Sequence, residues 1–159
     1  MCEKFIICER KGRIIMLVIG SDHGGYELKN HIIKLLKEKG IEFKDCGCYS
    51  EDSVDYPDIA KAVCTEITEG RAERGILICG TGIGISIAAN KIKGIRAALC
   101  SDVYSAKMCR QHNNANVLCM GGRVIGRELA CMITETFLEE EFQGGRHQNR
   151  INKINALEE

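Results

Sequence analysis

At its centre the chain reads Ile76-Leu77-Ile78-Cys79-Gly80-Thr81-Gly82-Ile83-Gly84-Ile85-Ser86. The apolar run that ends at Cys79 is typical of a strand covered on both faces of a sheet. The glycines that follow let backbone N–H groups converge, and the helix predicted after them presents its N-terminus to the same place. This segment therefore predicts the strand, turn and helix of a parallel α/β sheet, with an anion-binding turn between strand and helix.

Apolar runs and helical spacings alternate along the rest of the chain. The apolar runs predict strands at residues 17–20, 41–45, 75–79, 96–100 and 117–120. The helical spacings predict helices at residues 26–39, 58–69, 85–91, 104–112 and 127–139, and a polar last helix from about His147. We predict an α/β fold, a Rossmann-like three-layer α/β/α sandwich around a five-stranded parallel sheet. Ligands of such sheets bind beyond the carboxyl ends of the strands.

The bulk composition excludes several classes of protein. Hydrophobic residues make up 45% and charged residues 28% of the 159 residues, as in ordinary globular proteins. The 22 basic residues balance the 22 acidic ones, so no overall field attracts nucleic acid or a membrane surface. The sequence also has no apolar run of about 18 residues that could span a bilayer.

The start of the chain stands apart from this pattern. Met16 lies directly before the first predicted strand. We interpret residues 1–15 as an N-terminal extension, either disordered or preceding the true start codon, and residues 16–159 as a single domain.

Ten cysteines are scattered along the chain. None forms a Cys-x-x-Cys pair, and the nearest two, Cys46 and Cys48, have no His- or Cys-rich partner segment for zinc. Several lie in predicted strands and helices, where a free cysteine behaves as a small apolar residue. We therefore predict a reduced, cytoplasmic protein without a metal site.

Cys79 has two interpretations. Donors of the glycine turn and the helix N-terminus favour a thiolate there, and a thiolate beside such donors is suited to be a general base. Alternatively Cys79 is a core cysteine before a structural turn. The turn lacks the Gly-Lys-Ser/Thr of a Walker loop, and position 85 is Ile where a phosphatase loop needs Arg. A dinucleotide site stays open, because Asp102 follows at suitable spacing, although the glycines read GxGxG rather than GxGxxG.

Polar residues follow two other predicted elements. Asp22 and His23 follow the first strand, and their side chains could form hydrogen bonds with sugar hydroxyls. Alternatively, Asp22 caps the next helix. His112 ends the fourth helix as a possible acid, or as a cation that the helix dipole favours.

Arginines are candidates for an anion site. Arg146 and Arg150 are four residues apart at the start of the last helix, so they share one face as a phosphate clamp or as a solvated surface. Arg123, after the fifth strand, is a third candidate ligand.

Taken in order, these segments resemble the ribose-5-phosphate isomerase B family, which includes allose-6-phosphate and galactose-6-phosphate isomerases. The resemblance covers about residues 16–157. It is carried by Gly20-Ser21-Asp22-His23-Gly24-Gly25, Asp55-Tyr56-Pro57, the run from Ile78 to Lys91, Gly94-Ile95-Arg96-Ala97, Arg110-Gln111-His112-Asn113, Asn116-Val117-Leu118 and Gly145-Arg146-His147. The sequence departs from the family in the N-terminal extension and the extra cysteines, neither of which touches a motif.

The resemblance implies a role for each candidate. Cys79 resembles the base that takes the proton next to the carbonyl, and His112 resembles the acid that opens the sugar ring. Thr81 and the amides of residues 80–84 resemble the cradle for the enediolate oxygens. The substrate-binding positions implied are Asp22, His23, Tyr56, Gly80, Thr81, Gly82, Ile83, Gly84, Asn113, Arg123, Arg146 and Arg150. No metal or organic cofactor is implied.

The implied activity is the interconversion of D-ribose 5-phosphate and D-ribulose 5-phosphate through a cis-enediolate, in the pentose phosphate pathway. The resemblance also implies a homodimer or tetramer with sites shared between subunits. Allose 6-phosphate or galactose 6-phosphate is the alternative substrate. A non-catalytic phosphosugar-binding protein and a nucleotide-dependent oxidoreductase are alternatives of other classes. We expect a small phosphosugar as ligand, with no nucleic acid or membrane partner.

Overall fold

The computed structural model of the chain describes residues 16–158. The predicted extension at residues 1–15 lies outside the described residues. Five parallel strands form one sheet in the order β2-β1-β3-β5-β4. The strands are β1 (Leu17–Ser21), β2 (Phe43–Asp45), β3 (Arg74–Cys79), β4 (Ala97–Leu99) and β5 (Val117–Gly121).

Helices connect the strands and cover both faces of the sheet. They are α1 (Tyr26–Glu38), α2 (Tyr56–Thr68), α3 (Ile83–Ala89), α4 (Val103–Gln111), α5 (Arg127–Glu139) and α6 (Arg146–Asn155), with 3₁₀ turns at His23–Gly25 and Ala156–Glu158. None of the helices within residues 16–158 combines the length and apolar character needed to cross a membrane. The predicted α/β sandwich with five parallel strands is confirmed.

The pleat of the strands divides the core into two apolar clusters, one on each face. Ile76 and Ile78 of β3 lie in the cluster that α1, α4 and α5 cover. Leu77 and Cys79 alternate with them and lie in the cluster that α2 and α3 cover. Cys79 therefore points to the thinner layer of two helices, at the end of the central strand.

The strand order places a switch point between β1 and β3. From this adjacent pair, β2 lies to one side, whereas β5 and β4 lie to the other. The loops that leave the carboxyl ends of β1 and β3 therefore diverge to opposite faces and open a crevice between them. The sequence candidates Asp22, His23 and residues 80–84 all follow those two strands.

Helix α3 differs from the prediction of residues 85–91 by two residues at each end. It begins at Ile83 because Gly82 adopts a left-handed φ of 77° and reverses the chain at once. It ends at Ala89 because the side chain of Asn90 pairs with Ala97, donating to its carbonyl at 2.9 Å and accepting from its N–H at 2.8 Å. The turn before α3 is consequently tighter than expected.

Glu66 anchors the end of α2 through two cations. Its carboxylate accepts hydrogen bonds from Arg71 at 2.9 and 3.0 Å and lies 3.0 Å from the Lys44 ammonium. Hydrogen bonds from Arg71, then from Lys44, lower the pKa of Glu66 from 4.5 to about 2.

Glu66→Gln is expected to lower the free energy of unfolding at neutral pH. A carboxyl whose pKa is depressed on folding stabilises the protein above its unfolded pKa, and that contribution is lost as pH falls through the folded pKa. The difference between the two proteins should therefore narrow as pH falls from about 4.5 towards about 2. Urea unfolding midpoints of the wild type and Glu66→Gln at neutral pH and near pH 3 measure this difference in stability. A difference that is the same at both pH values would contradict the stabilising role of the ionised Glu66.

Candidate active site

Cys79 is the last residue of β3, and its sulfur belongs to the glycine turn. The Gly82 N–H donates to Cys79 Sγ at 3.1 Å. The residue is only 4% exposed, because it packs among the apolar side chains under α2 and α3. The adjoining Gly80 is half-buried and Thr81 is exposed, so any substrate must reach the sulfur from the side of the turn.

The glycine turn is wedged against the end of the neighbouring strand. A Cβ on Gly82 would lie 2.5 Å from Leu99 Cδ1 and 2.8 Å from the carbonyl carbon of Met120. A Cβ on Gly121 would lie 2.7 Å from the Thr81 carbonyl oxygen. These approaches require glycine and fix the turn relative to β5.

The amides of the turn are partly engaged within the turn itself. The Gly82 N–H is bound to sulfur, and the Ile83 N–H donates to Thr81 Oγ1 at 3.3 Å. The sequence interpretation assigned the amides of residues 80–84 to the enediolate. In this structure two of them instead hold Cys79 and Thr81 in place.

The loop after β1 lies directly against the turn. A Cβ on Gly24 would lie 3.0 Å from Gly80 N, and a Cβ on Gly122 would lie 2.8 Å from Gly24 O. Asp22 is buried, and its Oδ1 accepts the Gly25 N–H at 3.1 Å, so it caps the 3₁₀ turn. The capping interpretation of Asp22 is thus correct, and the cap holds the loop beside Cys79.

His23 and Arg123 line one cavity at this edge of the sheet. The cavity has a volume of about 490 Å³ and includes Glu27, Glu51 and Arg127. His23 Nδ1 accepts the Val54 N–H at 3.4 Å, which ties the ring to the loop before α2. The Arg123 N–H donates to the Gly80 carbonyl at 3.0 Å, and its guanidinium lies about 3.5 Å from where a Gly80 Cβ would stand.

Tyr56 closes the other side of the turn. It is the first residue of α2, two positions earlier than predicted, because Pro57 fits the first helical turn and does not break it. A Cβ on Gly84 would lie 2.8 Å from Tyr56 Cζ, so the ring packs on the start of α3. The ten residues named so far, at positions 22, 23, 56, 79–84 and 123, form one group.

A second group gathers around the end of α4. The imidazoles of His112 and His147 are stacked, with ring centroids 4.2 Å apart and planes 8° apart. His147 is buried, whereas Arg146 and Arg150 on the same helix are exposed. Burial lowers the pKa of His147, and the nearby His112, Arg146 and Arg150 lower it further. Asn113 lines a separate cavity of about 450 Å³.

The role of His147 was missed by the sequence interpretation, which used it only as part of a matching string. The sequence offers only a weak signal, the spacing of four residues between His147 and Ile151, which places His147 on the same face of α6 as an apolar residue. In the structure both residues are buried. Among residues 16–158, no hydrogen bond, ion pair or ring contact joins this second group to the first.

Asp102 has a structural role in this fold. Its side chain caps α4, with Oδ1 accepting the Ser105 N–H and Oδ2 the Ser105 hydroxyl, each at 2.7 Å. These hydrogen bonds lower the pKa of Asp102. The capping of α4 therefore accounts for an aspartate at this position, and no dinucleotide is needed to explain its spacing from the glycines.

A family model described as Ribose/Galactose Isomerase matches residues 17–154. The chain belongs to the ribose/galactose isomerase family. The predicted resemblance is thereby confirmed, and the chain is an aldose–ketose isomerase rather than an oxidoreductase or a simple binding protein.

Individual relatives of this isomerase cover nearly all of the described residues. Ribose-5-phosphate isomerase B of Escherichia coli (strain K12) is 50% identical over 143 residues, covering 90% of this chain and 96% of the relative. A solved ribose-5-phosphate isomerase B of Clostridium thermocellum has 53% identity and a TM-score of 0.89, covering 91% of this chain and 97% of that one. D-erythrulose-4-phosphate isomerase of Pectobacterium atrosepticum is 44% identical over 149 residues, covering 91% and 96%.

Proposed function

We propose that this isomerase interconverts D-ribose 5-phosphate and D-ribulose 5-phosphate, with Cys79 as the base that moves the proton. The observation that carries this proposal is the sulfur of Cys79, which accepts the Gly82 N–H at 3.1 Å at the carboxyl end of β3, one of the two strands at the switch point. The loop of Asp22 and His23 and the guanidinium of Arg123 border the same turn. The names of the E. coli and C. thermocellum relatives support the five-carbon substrate.

The proton transfer follows from this placement. Ribose 5-phosphate enters as a ring, which opens when an acid, His112, donates a proton to the ring oxygen while the C1 hydroxyl loses one. Cys79 then takes the proton from C2, and the electron pair moves into a C1–C2 double bond with negative charge on O1. The Thr81 side chain and the remaining amides of the turn, those of Gly80, Thr81 and Gly84, stabilise this enediolate. The O2 hydroxyl proton then passes to O1, which leaves the negative charge on O2. As the C2 carbonyl forms, the C1–C2 electron pair takes the proton from the Cys79 thiol to C1, and this gives the ketose and regenerates the thiolate.

Two sources of positive charge are available for the phosphate. Arg123 lies beside the turn, whereas Arg146 and Arg150 lie with His112 in the second group. Guanidinium groups bind phosphate through paired N–H donors, and a dianionic phosphate accommodates several of them.

A second copy of the chain would join the two groups. Within the described part of the chain, no hydrogen bond, ion pair or ring contact connects His112 and the two arginines of α6 with Cys79. We therefore propose that four residues act in the site of a neighbouring subunit: His112, Asn113, Arg146 and Arg150. Apolar residues suited to a subunit interface flank the turn of Cys79. Ile83 and Ile87 of α3 are 52% and 56% exposed, and Leu99 on the edge strand β4 is 42% exposed. A homodimer through this surface, or a tetramer of two such dimers, completes each site.

The cysteines support a reducing compartment. All eight cysteines within the described residues are free, including Cys100 and Cys109, whose sulfurs lie 3.9 Å apart. Such thiols persist in the cytoplasm and are oxidised outside it, so we place the enzyme in the cytoplasm.

Substrate choice provides the direct test of the proposed function. We expect the purified enzyme to convert D-ribose 5-phosphate with a kcat/KM at least about tenfold above that for D-allose 6-phosphate or D-galactose 6-phosphate, since one carbon changes the fit to the pocket. D-Erythrose 4-phosphate belongs in the same assay, because the P. atrosepticum relative is named for a four-carbon phosphosugar. A higher kcat/KM for any of these three sugars would overturn the ribose assignment, and thermal stabilisation by ribose 5-phosphate without turnover would overturn the catalytic one.

A further inference from the structure

The ends of α4 and α5 and the start of α6 are joined by a short segment, residues 140–145, which we call the strap. Gln111, the last residue of α4, binds the strap at three points. Its carbonyl accepts the Gln143 N–H at 3.0 Å, and its Oε1 accepts Gln143 Nε2 at 3.0 Å. Its Nε2 donates to Glu140 Oε2 at 2.6 Å.

The first residue of the strap is fixed independently of Gln111. The Glu140 carbonyl lies 3.4 Å from both Arg110 Nε and Arg74 Nη2. These two buried guanidinium groups flank the Phe137 ring at 5.6 and 5.9 Å from its centroid. Glu140 is therefore anchored in the core, whereas the later part of the strap is held to α4 through Gln111.

The later part of the strap sets the position of His147. Gly144 and Gly145 have φ values of 64° and 56°, a region that glycine enters freely, so they leave many paths open for the chain. The two hydrogen bonds from Gln143 to Gln111 lie just before these glycines and select one of these backbone paths. Gln111 directly precedes His112, and Gln143 precedes His147 by four residues. The hydrogen bonds between the two glutamines therefore hold together the two segments whose imidazoles, those of His112 and His147, stack.

We propose that Gln111 and Gln143 are positioning residues for ring opening, because they hold the His112 imidazole against His147 in the orientation that protonates the sugar ring oxygen. This inference rests on the proposed function. It assigns the glutamine pair to one step of the reaction, the opening of the ring, and not to the proton transfer at Cys79.

The substrates themselves separate these two steps. Ribose 5-phosphate is a ring in solution. Ribulose 5-phosphate is acyclic, because its C5 oxygen carries the phosphate and cannot close a five-membered ring on the C2 carbonyl. In D₂O, the Cys79 thiolate takes a proton from C1 of ribulose 5-phosphate, the resulting thiol exchanges with solvent, and a deuteron returns to C1. This exchange requires Cys79 and no ring-opening acid.

The experiment compares the two reactions in Gln111→Ala, Gln143→Ala and the wild type. We expect ribose 5-phosphate turnover to fall about tenfold or more in both variants, since small misplacements of a reacting group have effects of this size, while C1 exchange, followed by proton NMR, stays within about twofold. Gln148→Ala is the matched control, because Gln148 lies on α6 and its side chain bonds only to Asn152 within the described residues. It should leave both rates unchanged.

Each outcome decides a separate question. A fall of both reactions by the same factor means that the glutamines serve the structure in general, and no change in either means that they do not position His112; both results overturn the inference. Gln143 is exposed, so Gln143→Ala keeps the test available even if Gln111→Ala does not fold. A wild type that shows no ribose 5-phosphate turnover overturns the proposed function instead.

Discussion

Cys79→Ala lowers ribose 5-phosphate turnover by on the order of a hundred- to ten-thousand-fold, the usual contribution of a positioned general base. Alanine retains no group that can accept the proton from C2, and the one carboxylate in the loop after β1, Asp22, already accepts the Gly25 N–H. Phosphosugar binding should persist, because the arginines are unchanged. The measurements are the turnover number and the rise in melting temperature that ribulose 5-phosphate produces.

Cys64→Ala provides the matched control for that variant. Cys64 is buried in the same apolar cluster as Cys79, and burial raises its pKa to about 12, so it cannot act as a base near neutral pH. Replacing Cys64 also removes one buried sulfur from this cluster. Turnover should stay within about twofold of the wild type, even if the variant is less stable. If Cys79→Ala kept near-normal turnover, or if Cys64→Ala lost activity equally, Cys79 would not be the base.

The fold could be predicted from the sequence because its central signals are local. The apolar run before Cys79 indicates a strand buried on both faces, and the structure places residues 74–79 with all their side chains buried in the middle of the sheet. The glycines of the turn were equally informative, since Gly82 combines a left-handed φ with contacts that leave no room for a Cβ. Each of these requirements is met within a few residues of sequence.

The details that escaped prediction depend on contacts between distant residues. Helix α3 ends where it does because Asn90 pairs with Ala97 on the next strand. The stack of His112 on His147 joins residues 35 positions apart through the strap, and no periodicity within either helix encodes that meeting. The sequence also groups all the candidate residues in one list, whereas the folded chain separates them into a sulfur-bearing group and a histidine–arginine group.

Because Cys79 and His112 lie in separate groups of the folded chain, two subunits that each lack one of these residues should complement each other in a mixed dimer. Cys79→Ala and His112→Ala are each expected to be nearly inactive on ribose 5-phosphate, the second through loss of the ring-opening acid, by on the order of a hundredfold. In a dimer that contains one chain of each kind, one site receives Cys79 from the His112→Ala subunit and His112 from the Cys79→Ala subunit, and the other site receives neither. Co-expression with two different affinity tags allows this mixed dimer to be isolated.

The mixed dimer should show about half of the wild-type turnover per dimer, far above either parent, because one of its two symmetric sites is complete. If Cys79 and His112 of one chain instead served the same site, each site of the mixed dimer would lack one group and the dimer would be as inactive as its parents. A mixed dimer of Cys79→Ala with Cys64→Ala serves as control. Its Cys64→Ala subunit supplies the one Cys79, and both subunits carry His112, so one active site is expected under either arrangement. Activity restored only in the Cys64→Ala control, and not with His112→Ala, would therefore refute the shared site while leaving Cys79 as the base.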